Sequence, residues 1–250
     1  MQRMPAIVLA LACVMPAAPE APAGTPPGWA ARATDADQAR ARMVETQLRA
    51  RGIRNERVLQ AMRTVPRHEF VPEASRARAY EDTPLAIGAG QTISQPYIVA
   101  LMTEWIEPEP GDRVLEVGTG SGYQAAVLAG LVREVYTIEL LPELARAAAG
   151  RLARLGYDNV HVREGDGYLG WPERAPFDAI VVTAGATEIP APLVEQLKPG
   201  GRMVIPVGRA PGVQTLKVVD RTADGTVSVR DVAPVRFVPL RRGAPGRHAP

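Results

Sequence analysis

The spacing of hydrophobic positions switches between two periods along the chain, and the switching predicts its architecture. Val114-Leu115-Glu116-Val117 is a short, β-rich apolar run that ends in three alternating glycines, Gly118, Gly120 and Gly122. From Tyr123 to Val132 the spacing becomes helical, with Ala125, Ala126, Leu128, Ala129 and Leu131 recurring along one side. Strand, glycine turn and helix in that order make the first unit of a nucleotide-binding sheet. Further strand-like runs at Glu134–Glu139, Val160–Arg163, Phe177–Val182 and Arg202–Val207 are interleaved with helical stretches at Pro142–Leu155 and Ala191–Leu197. Gln214–Asp220 and Thr226–Val232 make a hairpin about Ala223-Asp224-Gly225, and Val235–Leu240 closes the sheet. The expected fold is α/β, a doubly wound and mostly parallel sheet with helices on both faces.

Ahead of the sheet the pattern is helical. Ala39–Arg51 sets Met43, Val44 and Leu48 on one side and stops at Gly52. Asn55 caps a second helix bearing Val58, Leu59 and Met62, which Pro66 ends. Glu73–Tyr80 reads as a short helix, and Ile87–Tyr97, with Gly88 and Gly90, as a flexible loop. Ser94, two residues before Pro96, is placed to cap the apolar-periodic run Ile98–Ile106. A helix start of this kind offers N–H groups and the positive end of a dipole to a carboxylate.

Residues 1–36 stand apart from this pattern. Arg3 precedes an apolar run from Ala6 to Met15, followed by a Pro-, Ala- and Gly-rich stretch that cannot form a packed core. The apolar run is about half of what a membrane-spanning helix needs. It resembles a weak secretory signal, and Leu9–Cys13 faintly resembles a lipoprotein cleavage site. The expected organisation is an extension over 1–36, a single domain over 37–240 and a disordered basic tail from Arg241. Within the domain, residues 37–110 supply helices and a loop, and 111–240 the sheet core.

Composition narrows the chemistry. Hydrophobic residues make up 46% and charged residues 22%, the balance of an ordinary globular protein. A net charge of +2 gives no electrostatic case for nucleic acid or an acidic membrane as partner. The single cysteine, Cys13, and three scattered histidines, His68, His161 and His248, give no pattern for a metal centre, so none is expected.

The glycine run is Glu-x-Gly-x-Gly-x-Gly, not the Gly-x-Gly-x-x-Gly of dinucleotide folds. Glu116, two residues before the first glycine, suits a cationic ligand group better than a phosphate. S-adenosylmethionine has an ammonium and a sulfonium and no phosphate. Glu139 ends the next strand 21 residues after Gly118, where an acid accepts from ribose hydroxyls. Asp166, between Gly165 and Gly167, sits at the carboxyl end of a third strand, where ligands bind in open α/β sheets. After the fourth strand, Thr183-Ala184-Gly185-Ala186 has neither the aromatic platform nor the amide that grips a flipped base. No His or Lys sits in these motifs as an obvious general base. A carboxylate acceptor would need none, since with a pKa of about 4 it is ionised at neutral pH.

From about Met43 to Leu240 the chain resembles the protein-L-isoaspartate (D-aspartate) O-methyltransferase family. The resemblance rests on Gly90-Gln91-Thr92-Ile93-Ser94-Gln95-Pro96, Glu116–Tyr123, Gly165-Asp166-Gly167, Ala175–Ile180, Gln196–Arg202 and Val235-Arg236-Phe237-Val238-Pro239-Leu240. It implies a class I, Rossmann-like methyltransferase with a seven-stranded sheet and an N-terminal helical extension, using S-adenosylmethionine. Ser94 is then the active-site serine, with Thr92, Ile93 and Gln95 beside it at the substrate. Glu116, Gly118, Gly120, Gly122, Glu139, Asp166 and Gly167 line the cofactor site. Gln214 falls at the family's Gln-x-Leu and either closes over the cofactor or is an exposed hairpin residue. The implied partners are isoaspartyl-containing proteins and peptides, bound by a monomer. A small-molecule carboxyl or hydroxyl methyltransferase on the same fold is the alternative. Because the methyl donor is made in the cytosol, the expected location is the cytoplasm, with export through the signal-like segment as the alternative.

Overall fold

The computed structural model describes residues 34–209 and 212–243. The signal-like run, Cys13, His248 and most of the basic tail lie outside these residues. Helix α1 (Asp35–Met43) begins earlier than its apolar pattern. It continues through a wide π-helical turn at Val44–Leu48 and a tight one at Arg49–Arg51, and Gly52 ends it at φ 100°. In α2 (Glu56–Thr64) the Asn55 side chain caps as expected, accepting from the N–H groups of Arg57 and Val58. Short 3-10 turns at Arg67–Phe70 and Glu73–Arg78 follow. The expected loop is instead an antiparallel hairpin, β1 (Leu85–Gly88) and β2 (Gln91–Ile93), turned by Gly88, Ala89 and Gly90. Helix α3 (Pro96–Trp105) comes next.

The sheet strands are β3 (Arg113–Val117), β4 (Glu134–Glu139), β5 (Val160–Glu164), β6 (Phe177–Val182), β7 (Leu197–Val207), β8 (Gln214–Arg221) and β9 (Val227–Val235). Helices α4 (Tyr123–Ala129), α5 (Pro142–Arg154) and α6 (Ala191–Gln196) connect them. The order is β5-β4-β3-β6-β7-β8-β9, parallel from β5 to β7 and antiparallel beyond. The chain winds outward from β3 to β5 and then returns to β6 on the other side. The switch point therefore lies at the carboxyl ends of β3 and β6, where open α/β sheets bind ligands.

Strand alternation divides the core. Val114, Val135, Ala179, Val181 and Val204 pack with the N-terminal helices, α3 and α4. Leu115, Val117, Tyr136, Ile138, Ile180, Val182 and Ile205 pack on the other face with Leu193 of α6. By the same alternation Glu116 and Thr137, paired in register, share the face of Val114 and Val135.

Val235–Leu240 does not close the sheet. After β9 the chain crosses the strand ends, where Gly185 N–H donates to Val238 O (2.8 Å) and Leu240 N–H to Gly185 O (2.8 Å). One cause is local and one is distant in sequence. Pro239 has no N–H for a ladder, and the Phe237 N–H is taken by Gln214 Oε1 at 2.8 Å. At the start of the tail, Gly243 N–H donates to Asp166 Oδ2 at 2.9 Å.

Candidate active site

The glycine turn after β3 puts backbone where side chains would otherwise stand. Gly118 and Gly120 have φ of 100° and 53°. A β-carbon on Gly118 would lie 2.5 Å from Thr183 Oγ1. Thr183 follows β6 and ties the two strand ends together. Its N–H donates to Val117 O (2.9 Å), and its hydroxyl lies 2.7 Å from Gly118 O. Glu139 holds the turn open by accepting from Gly120 N–H (2.8 Å) and Leu141 N–H (3.0 Å), one on each oxygen. Gly122 serves differently. A β-carbon there would press on Leu152 at 3.2 Å, so this glycine lets α4 approach α5 and does not line the cleft.

Two cavities open on this switch point. The first is lined by Glu116, Gly118, Thr119, Gly120, Gln124, Glu139, Gly167 and Arg241, among others. The second, of about 660 Å³, runs between α3 and the segment Ala233–Val238. Thr92, Ser94, Thr183 and Val238 line both, so the cavities meet at these four residues. Among the described residues no histidine or lysine lines either one.

The floor of the first cavity carries two unsatisfied acceptors. Glu116 is 0% exposed, and its Oε2 accepts from the Thr137 hydroxyl at 2.6 Å while Oε1 has no partner. Burial, opposed by the Thr137 hydrogen bond and reinforced by the nearby Glu139 charge, pushes its pKa up to about 8. Gln124 is 6% exposed; its Nε2 donates to Thr103 Oγ1 at 2.8 Å, leaving Oε1 equally unpartnered. Two orphan acceptors buried at one cavity floor fit a ligand with a cationic donor. The glycine turn gives that ligand a backbone to lie against.

The structure corrects the expectation of a Ser94 cap and locates the other expected site residues. Ser94 is not the cap of α3. The cap position is Gln95, whose side chain makes no capping bond to the helix, and Asp82 Oδ1 accepts the Tyr97 N–H from a distance in sequence (2.8 Å). That helix end is therefore already engaged by a carboxylate, while the Ser94 hydroxyl bonds to none of the described residues. Ile93 and Thr92 line the first cavity with Ser94, whereas Gln95 lines only the second. Asp166 stands outside the cavity lining, its carboxylate accepting from Tyr168 N–H and Gly243 N–H (both 2.9 Å). Gln214 is 1% exposed, also outside the lining, and anchors Phe237. Gln124, Thr183 and Val238 were missed. Gln124 carried a sequence signal as the polar residue in an otherwise apolar helix face, while Thr183 opens the segment after the fourth strand and Val238 lies in the Val235–Leu240 motif.

A family model for protein-L-isoaspartate(D-aspartate) O-methyltransferase matches residues 38–244. The chain belongs to that family. Among relatives, a protein-L-isoaspartate O-methyltransferase 2 of Polaromonas sp. is 64% identical over 74% of this chain and 88% of its own length. Its namesake in Anaeromyxobacter sp. is 56% identical over 96% of this chain and 97% of its own. A crystal structure of a putative isoaspartate methyltransferase from Plasmodium falciparum, in complex with S-adenosyl-L-homocysteine, superposes with a TM-score of 0.71. It is 28% identical and covers 82% of this chain and 99% of that one. Membership in the isoaspartate methyltransferase family carries the activity, S-adenosylmethionine-dependent methylation of isoaspartyl residues.

Proposed function

We propose that this chain carries out methyl transfer to isoaspartyl carboxylates at the junction of its two cavities, with Ser94 as the active-site residue. The observation that supports this reading is the meeting of a glycine-turn cleft with an open groove at Thr92, Ser94, Thr183 and Val238. The glycine-turn cleft fits the donor, with Glu116 Oε1 and Gln124 Oε1 taking the ammonium and Glu139 the ribose hydroxyls. When bound, S-adenosylmethionine supplies an electrophilic methyl on a sulfonium.

The residues present need to orient and exclude, not to move a proton. The free carboxylate of an isoaspartyl residue is ionised at neutral pH. The unpaired Ser94 hydroxyl donates to one of its oxygens and turns the other toward the junction, so that alignment supplies the rate enhancement. Val238 and Ile93 are the apolar walls that keep water from the reacting oxygen. The product ester carries a better leaving group than the free acid: the backbone nitrogen of the following residue attacks its carbonyl carbon and expels methanol, closing a succinimide that water partly reopens as normal aspartate.

The same reading takes D-aspartyl residues as further acceptors and residues 37–240 as one catalytic domain working as a monomer. It places the enzyme in the cytoplasm, beside the supply of its cofactor, without nucleic acid or membrane as partner. No helix among the described residues is long and apolar enough to cross a membrane. The test is transfer of labelled methyl to a matched isoaspartyl/aspartyl peptide pair. Label is expected on the isoaspartyl peptide alone, and equal labelling of both would overturn the reading.

A further inference from the structure

The groove that meets the cleft at Ser94 has an unusual charge balance. Among the described residues its lining includes Arg51 and Arg236 and no acidic residue. The two arginines are not equivalent. Arg51 is paired with Asp82 and lies flat on Tyr97, its guanidinium carbon 3.6 Å from the ring centre. Its charge is largely spent within the fold. Arg236 is exposed and forms no hydrogen bond, ion pair or ring contact with any described residue. Its backbone is nevertheless fixed. Val235 is 6% exposed, Phe237 N–H is bound by Gln214 and Val238 O by Gly185 N–H. An uncommitted cation is thus carried by an anchored strand end at the lip of the groove.

We propose that Arg236 is a specificity-determining residue that favours isoaspartyl segments bearing a second carboxylate one or two positions from the isoaspartyl residue. This rests on the reading of the groove as the peptide site. Val238 stands at the junction where the acceptor carboxylate lies, and Arg236 is two residues before it, at most about 7 Å along the chain. A peptide running beside this segment brings a neighbouring side chain to the same distance. A Glu or Asp there meets the free guanidinium, and a Lys meets a like charge that no acid in the lining offsets. Exposed pairs of this kind are individually weak and screened by salt, so the effect is a graded preference and not a requirement.

Three peptide sets test it, identical except for Glu, Gln or Lys placed one or two positions on either side of a single isoaspartyl residue. kcat/KM is measured for the wild type, Arg236→Gln and Arg236→Glu at low and high salt. The wild type is expected to favour Glu over Lys by about five- to tenfold at low salt on at least one side, falling to about twofold at high salt. Arg236→Gln should reduce the ratio to below twofold, and Arg236→Glu should invert it. A flat wild-type series, or a preference that survives both substitutions, overturns the proposal even though the Gln peptide is methylated. If the wild type binds S-adenosylmethionine yet methylates none of the peptides, the reading of the groove fails and this proposal falls with it. Arg236 is exposed, so the variants are expected to fold, and unchanged cofactor affinity by titration verifies that.

Discussion

At the scale of single residues, the site depends on two polar groups that the fold leaves unsatisfied. Ser94 has no partner among the described residues and is not a cap, so removing its hydroxyl should leave stability nearly untouched. Ser94→Ala and Ser94→Gly are both expected to lose about tenfold or more in kcat/KM, the worth of one bond to a charged group. The cap is Asp82, and Asp82→Ala should cost about 0.5–2 kcal/mol of stability. Denaturant titration of the three variants separates the roles, and a large stability loss in Ser94→Gly would overturn them. Glu116 gives a pH signature. Its raised pKa means that the empty protein binds a proton here that the unfolded chain does not. That contribution to stability is full below the ordinary carboxyl pKa of 4.5 and is lost as pH rises toward about 8. A ligand ammonium at Oε1 favours the ionised form, so cofactor binding should release a proton and tighten from pH 6 to 8. Calorimetric titration in buffers of different ionisation enthalpy should detect the proton, and Glu116→Gln should abolish it.

At the scale of elements, the glycine turn separates binding from packing. Gly120 lines the cleft at φ 53°, so Gly120→Val should block S-adenosylmethionine binding. Gly122 has φ 85° and faces Leu152, so Gly122→Ala should cost about 1–3 kcal/mol of stability while the folded fraction still binds. Wild-type stability in Gly122→Ala, or a failure of its folded fraction to bind, would contradict this division. The turn was legible in the sequence because strand, glycines and helix are contiguous and each has its own period. The same holds for β4, β6 and the Asn55 cap. What stayed illegible was set by partners far along the chain. Nothing near Ser94 signals that Asp82 takes the α3 N-terminus. Nothing near Phe237 signals that Gln214 takes its N–H and turns an apolar, strand-like run across the sheet ends. Asp166 was read correctly as sitting at a strand's carboxyl end, but its carboxylate went to Tyr168 and Gly243, a contact no local pattern encodes.

At the scale of the whole molecule, the question is how much of the chain the site needs. The deepest part of the N-terminal helical layer begins at Met43, Val44 and Leu48, which pack with α2 and α3 against the sheet. Helix α1 starts at Asp35, and Arg40 ties it onward through Asp37 and the Arg63 carbonyl. None of the buried hydrophobic residues of the core precedes Met43 among the described residues. A chain beginning at Thr34 therefore keeps every element that positions the hairpin, α3 and the two cavities. It is expected to match the full chain in melting temperature, in S-adenosylmethionine affinity and in kcat/KM for an isoaspartyl peptide. A chain beginning at Leu48 would instead lose Met43 and Val44 from the core, and with large-to-small core losses of about 2–5 kcal/mol for a single residue it should fold poorly. Side-by-side thermal denaturation and turnover of the two truncations decide the point. A loss of activity in the Thr34 chain with unchanged melting would mean that residues 1–33 take part in catalysis and would overturn the expectation.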